Sequence, residues 1–285
     1  MSAALADPLA SEEKKEATVR RGARNRDGGQ RRSTLGRVGV LCAQVLLFVG
    51  FIGLWALAAH FKIGRPIVVR SPQQVWTALS DLVSTGALWP HMWSTIQATL
   101  IALGLAAVIG VSAGLGLALS PTIERIVTPY LSALNSAPRI AFGPVFIIMF
   151  GIGLTSKVAL AFSVVIFVII LNARAGVHAA DPDVVRLMEV MGASRRAVFV
   201  KLLFPVAVPS IFAGLRLGLI YSLLGVVTSE MIAAREGLGQ LVAQYSGNFQ
   251  LDYVYAVIAV LIVIGTLLNT IAGIVERRLL WWKAP

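Results

Sequence analysis

Six apolar runs of about 20 residues or more dominate the chain, at 38–59, 94–120, 126–151, 156–175, 210–233 and 253–275. A continuous run of that length suits the hydrocarbon of a bilayer. There every backbone amide must find its partner within the segment, which an α-helix achieves. Charged residues make up only 14% of the chain, against roughly 25% in soluble domains. The sequence therefore predicts an all-α polytopic membrane protein with six transmembrane helices.

The formal net charge of +11 invites a nucleic-acid reading, but the placement of the charges excludes it. Nine of the 25 Lys and Arg precede residue 38, and most of the others flank apolar runs. With the N-terminus inside, the inner segments hold 18 basic residues, and the outer ones hold only Lys62, Arg65, Arg70, Lys157 and Arg235. The positive-inside rule then makes both termini cytoplasmic. The expected layout is a disordered basic tail over 1–37, a first span over 38–59, an external segment over 60–93, a membrane core over 94–276 and a cytoplasmic tail over 277–285. The first tail has almost none of the aromatic and β-branched residues that a packed face requires. Trp281 and Trp282 are expected at the inner interface.

The chain offers little for catalysis. Cys42 is the single cysteine, and His60, His91 and His178 stand apart from one another, so neither a disulfide nor a Cys/His metal site is expected. No G-x-x-x-x-G-K-[ST] stretch is present, so a nucleotide-hydrolysing loop of that kind is not expected on this chain.

Within the external segment, Ser71 is placed to cap a helix that has Pro72 in its first turn. Val75, Leu79 and Leu82 follow at helical spacing, which predicts an amphipathic helix along the outer surface. In the second span, Gly110 and Gly114 have the small-xxx-small spacing that lets backbones approach closely. The third span is interrupted by Pro138 and Pro144 and carries Arg139, so it should face protein or a hydrated cavity.

The segment 176–209 is longer than a turn between spans requires. In "DVVRLMEVMGASRRAVFVKLLFPVAVPS" (183–210), Val184, Leu187, Met188 and Met191 share one face of a short helix. Gly192 follows where a left-handed residue ends such a helix, and Ser194 can cap a second one whose apolar face holds Phe199, Leu202 and Leu203. Pro205 and Pro209 lead into the fifth span. The reading is two short amphipathic helices at an angle, their apolar side chains set beside Arg186, Arg195, Arg196 and Lys201. Such a face fits a protein groove or the inner leaflet equally well.

Gly192 is followed thirteen residues later by Pro205, with Leu202 three positions before the proline. This spacing resembles the EAA signature of bacterial ATP-binding-cassette (ABC) importer permeases. The naming triplet would fall at Arg186, Leu187 and Met188, which departs from Glu-Ala-Ala. The stretches "APRIAFGPVFIIMFGIG" (137–153), "GLRLGLIYSLLGVVTSEM" (214–231) and "GLGQLV" (237–242) look like the branch that handles nitrate, sulfonates, taurine and bicarbonate. The resemblance covers about residues 60–282. It implies that the loop is a coupling helix seated on a cytoplasmic ATPase, through Val184, Met188, Met191, Gly192, Ala193, Ser194, Leu202 and Pro205. It also implies an extracytoplasmic substrate-binding protein, a second permease copy, most simply a homodimer, and a bacterial inner-membrane location. The chain itself would be a non-catalytic subunit without a cofactor, with ATP and Mg held by the partner ATPase.

Four intramembrane polar residues are candidates for the translocation pathway: Arg139, Tyr221, Ser222 and Glu230. A charge at the depth of Arg139 is costly unless it is paired or hydrated. It is either an attraction point for an anion or a brace for carbonyls freed at Pro138 and Pro144. At 1.5 Å per residue, Glu230 should lie about 10 Å from the midplane, beyond direct reach of Arg139. Arg216 is expected to snorkel, and Asn172 and Asn269 lie at water-accessible ends. The expected function is a permease for a small anionic solute. The alternative is an ion channel or secondary transporter, which would need no docking loop and, as a transporter, would more often carry acidic residues in mid-span.

Overall fold

The computed structural model describes residues 39–40, 42–61 and 69–281, and among them helices joined by short connections occur and no strand. The expected tail over 1–37 and the residues beyond Trp281 lie outside this range. The chain divides into two units, Met1–Pro72 and Gln73–Pro285. In the first unit, α1 (Cys42–His60) has the length and apolarity of a span, and the indole N–H of Trp55 donates to the Arg70 carbonyl at 2.9 Å.

The second unit holds ten helices among the described residues: α2 (Pro72–Ser84, whose first residue closes the first unit), α3 (Leu88–Ala118), α4 (Pro121–Ser136), α5 (Gly143–Phe150), α6 (Leu154–His178), α7 (Pro182–Val190), α8 (Arg195–Val198), α9 (Phe204–Ile232), α10 (Leu238–Gly247) and α11 (Leu251–Leu279). Helices α1, α3, α6 and α11 and the run Arg195–Ile232 are each long and apolar enough to cross a membrane. A sixth crossing exists only if α4 and the segment Arg139–Phe150 count as one, and these two arms are bent by 78°. The third span, expected over 126–151 with an interruption at Pro138 and Pro144, is thus a sharply bent pair. The cause is local. Pro138 lacks an N–H for the Leu134 carbonyl, and a 3₁₀ turn over Arg139–Phe142 carries the chain into Gly143–Pro144 at the start of α5.

Helix α6 is the centre of the bundle, and half of its apolar window is buried. It packs against α3 on one side and α9 on the other, and small residues set the distance. At Gly114 an added Cβ would lie 2.6 Å from the Ile170 carbonyl oxygen, and at Gly225 it would lie 2.9 Å from the Ala161 Cα. Ala98, Ala102, Ala161 and Val226 form one buried cluster at these crossings. Val165, Ile166, Ile169 and Ile170 on α6 form another with Ala106 and Leu131. Apolar helices gain little from water exclusion inside a bilayer, so such close backbone contact supplies the dispersion that joins them.

Two further expectations are refined. Val75, Ala78 and Leu82 of α2 are buried in protein and Leu79 only partly, while Trp76 is exposed. The second short helix of the 176–209 segment does not end before the fifth span. It runs from α8 through a π turn (Phe199–Leu203) directly into α9, with the Phe204 N–H donating to the Phe199 carbonyl. The π turn inserts an extra residue just where Pro205 would otherwise break the ladder, so the helix passes the proline without stopping.

Candidate functional site

The loop formed by α7, α8 and their turn is built from strong local signals. The Asp181 carboxylate accepts from the Asp183 N–H at 2.9 Å and caps α7, with Pro182 in its first turn. Gly192 has φ +80°, a conformation that penalises a Cβ, and no neighbour lies within 4 Å of where that Cβ would stand. The Ala193 N–H reaches back to the Met188 carbonyl at 2.9 Å, which closes the helix end. The Ser194 hydroxyl accepts from the Ala197 N–H at 3.2 Å and starts α8. No residue of α7 is buried. Val184, Leu187, Val190 and Met191 are exposed, Val190 at 86% and Met191 at 78%, while Met188 is half-buried. Ala193 and Leu202 are half-buried, and Pro205 is exposed on the first turn of α9. The loop therefore holds a fixed shape while Val184, Leu187, Val190 and Met191 stay exposed on α7 and its end.

Arg139 is tied down by protein. Its guanidinium donates to the Ser163 carbonyl at 2.7 Å and to the Val164 carbonyl at 3.1 Å, both on α6. It also donates to the Leu134 carbonyl at 2.7 Å and to Asn135 Oδ1 at 3.4 Å. The Leu134 carbonyl is the one that Pro138 leaves without its i+4 donor. The guanidinium carbon also sits 3.9 Å from the centroid of the Phe167 ring. The bend between α4 and α5 and the Arg139 contacts to α6 thus form one unit. At the other end of α4, Glu124 receives Arg174 at 3.3 Å and His178 at 2.8 Å.

The other buried charges meet where the α5–α6 and α9–α10 connections come together. The Glu230 carboxylate is 0% exposed and pairs with the Lys157 ammonium at 3.1 Å. It also accepts from the Thr95 hydroxyl at 3.0 and 2.9 Å and from the Gly239 N–H at 3.0 Å, in the first turn of α10. The Leu238 N–H donates to the Thr95 Oγ1 at 2.9 Å, and the Gly237 N–H to His91 Nδ1 at 3.0 Å. Lys157 uses its remaining donors on the Ser94 Oγ at 2.8 Å and on the Glu236 carbonyl. A Cβ on Gly237 would lie 2.1 Å from the Glu230 carboxyl carbon, so glycine is required there. Four elements, α3, α6, α9 and α10, converge on this one ion pair.

The structure separates the two neighbouring pathway candidates. Tyr221 is exposed on α9, at 40%. Ser222, one residue on, is fully buried and donates to the Thr99 carbonyl at 2.8 Å. Arg216 does not stand alone at the helix end. It donates to Asn269 Oδ1 at 2.8 Å and approaches Glu276 at 3.8 Å, linking α9 to α11. Sequence reasoning missed the Lys157–Glu230 pair, because Lys157 was counted as an outer-loop cation and His91 as an isolated histidine. The acidic side chain in a span was the available signal, since a buried carboxylate demands a cation.

A bundle of apolar spans with an exposed, rigidly capped loop defines a multi-pass membrane protein. Residues 106–281 match the family described as binding-protein-dependent transport system inner membrane component, and the chain belongs to that family. The taurine transport system permease protein TauC of Escherichia coli is 33% identical over 252 residues, which cover 85% of this chain and 91% of TauC. The formylaminopyrimidine transport permease protein ThiX of Halalkalibacterium halodurans is 31% identical over 84% of this chain and 94% of its own length. The fold is that of the MetNI methionine ABC transporter in its inward-facing conformations, with a TM-score of 0.61 at 19% identity over 68% of this chain and 97% of that one. The chain is accordingly an ABC importer permease, a membrane subunit of the class related to the nitrate, sulfonate and taurine permeases.

Proposed function

We propose that the chain forms the membrane path of an ATP-driven importer for a small, anionic solute that a binding protein delivers from outside the bacterial inner membrane. Two copies of the chain pair around that path, and two cytoplasmic ATPase subunits supply ATP and Mg. Both termini of the chain face the cytoplasm. The observation that carries the reading is the α7–α8 loop, capped at Asp181 and Ser194 and turned at Gly192, with Val184, Leu187 and Met191 exposed. An exposed apolar face on a rigid loop calls for a partner surface, and the family supplies an ATPase to meet it. On this reading Val184, Met188, Met191, Gly192, Ala193 and Ser194 make or shape the contact, and Leu202 and Pro205 pass its movement into α9.

The solute path runs along the exposed face of α9 that carries Tyr221. Arg139, Ser222 and Glu230 have their polar atoms taken up by protein partners, so they brace the path from behind. The relatives that transport taurine and formylaminopyrimidine favour a compact polar cargo. Reconstitution into liposomes with the binding protein and ATPase tests the reading. Solute-stimulated ATP hydrolysis with solute uptake is expected. Uptake that needs no ATPase would instead favour a channel or secondary transporter.

A further inference from the structure

A cavity of about 390 Å³ is lined in part by Lys157, the ion-pair partner of the buried Glu230 carboxylate. Its walls come from three chain segments that meet at one end of the bundle: the first turns of α3 (Trp93, Ser94, Gln97), the α5–α6 connection and the start of α6, and the α9–α10 connection (Arg235, Glu236). The size is at the low end for small-molecule sites, which run from roughly 300 to 1,000 Å³.

The polar groups on these walls are unequal in what they can offer. Lys157 directs its three donors at Glu230 Oε1, Ser94 Oγ and the Glu236 carbonyl, so it forms the floor and contributes no free contact. Ser94 accepts from Lys157 and keeps its own proton to donate. Among the described residues, the Gln97 amide and the Arg235 guanidinium have no hydrogen bond or ion pair, although both line the cavity. Three donors of different type, one of them a planar cationic fork, therefore border one concave space without a hydrogen bond or ion pair to a protein acceptor among the described residues. The backbone carrying Arg235 is held in place, because its neighbours are pinned by Lys157 at the Glu236 carbonyl and by His91 at the Gly237 N–H. Glu236 is the one acidic side chain on the walls. The Glu236 carboxylate opposes an anion at its own end of the cavity, and the small volume favours a compact group with several acceptors placed against Arg235, Gln97 and Ser94.

We infer that this cavity is a binding site for the oxyanion group, sulfonate or carboxylate, of a small solute, with Arg235, Gln97 and Ser94 as its donors. The site is distinct from the exposed α9 face proposed above for passage, and its role as a first stop for cargo rests on the transport reading. Charge-assisted hydrogen bonds from a guanidinium are about twice as strong as neutral ones, so Arg235 should dominate affinity.

Binding is tested on the full-length chain purified in detergent, by calorimetric titration with methanesulfonate. Dimethyl sulfone, of the same shape but uncharged, is the control. Saturable binding of methanesulfonate but not of the sulfone is expected, with about tenfold weaker binding in Arg235→Gln and a smaller loss in Gln97→Leu. Arg235 is exposed and Gln97 half-buried, so neither replacement disturbs a packed core. Absence of saturable methanesulfonate binding, equal binding of the sulfone, or unaltered affinity in both variants overturns the site. The titration needs no ATPase or binding protein. Loss of the site beside intact ATP-coupled uptake would therefore refute this inference alone, and binding without coupled uptake would refute only the transport reading.

Discussion

Replacing Lys157 with Met should destabilise the bundle by about 3 kcal/mol. Removing one partner of a buried ion pair costs about 3–5 kcal/mol, because the other charge stays buried and unpaired. Glu230 would keep its bonds from Thr95 and Gly239, which places the cost at the lower end. Glu230→Gln removes the opposite charge and leaves the buried Lys157 ammonium with neutral acceptors alone, so a similar loss is expected. In Lys157→Met/Glu230→Gln neither charge remains. The double variant should lose less than the sum of the two single losses by at least about 1 kcal/mol. The assay is reversible unfolding in a detergent titration, followed by tryptophan fluorescence. Hydrogen exchange gives a local readout, since the Leu238 and Gly239 amides should lose protection first in both single variants. Strictly additive losses, or single losses below about 1 kcal/mol, would refute the claim that this pair anchors α10 to α3 and α6.

Other outcomes follow from the same geometry. Arg139→Gln should lower stability by about 1.5–3 kcal/mol in the same unfolding assay, because the carbonyls of Leu134, Ser163 and Val164 lose a charged donor; normal stability with weakened anion uptake would instead make Arg139 a pathway residue. In a Cys42→Ala background, a cysteine at exposed Ser84 should react with an impermeant thiol reagent from outside and one at exposed Ser194 should not, and the reverse would invert the proposed topology. Deleting residues 1–30 should leave assembly and uptake intact, since the segment has no apolar face to pack, and loss of the assembled complex would show that it docks.

What the sequence disclosed was local. Apolar run length located the spans, Pro138 and Pro144 located the break, and the Gly110–Gly114 spacing located the side of α3 that meets α6. Gly192 and Ser194 located a turn and a cap in a segment whose conformation depends on its own few residues. What stayed hidden depends on how helices rotate against one another. Lys157 and Glu230 are 73 residues apart, and nothing in either neighbourhood shows that both point inward. Tyr221 and Ser222 are adjacent in sequence, yet the helical rotation of about 100° per residue sends one outward and buries the other. The continuation of α8 into α9 was masked because proline usually ends a helix, and only the π turn at Phe199–Leu203 removes the conflict.

The most direct test of the central claim is retention of the partner ATPase by loop variants that leave the membrane bundle untouched. Gly192→Val adds a Cβ that meets no neighbour, so its cost of about 1–2 kcal/mol falls on the left-handed turn alone and misplaces α8 relative to α7. Met188→Asp puts an unpaired charge into the proposed contact, a loss of several kcal/mol from a desolvated face. Each variant is co-expressed with the ATPase and binding protein, captured by a tag on this chain, and assayed in liposomes for solute uptake per ATP hydrolysed. The account predicts chains that insert and fold normally but release the ATPase or hydrolyse ATP without uptake. Full retention of the ATPase with normal coupled uptake in both variants would contradict it.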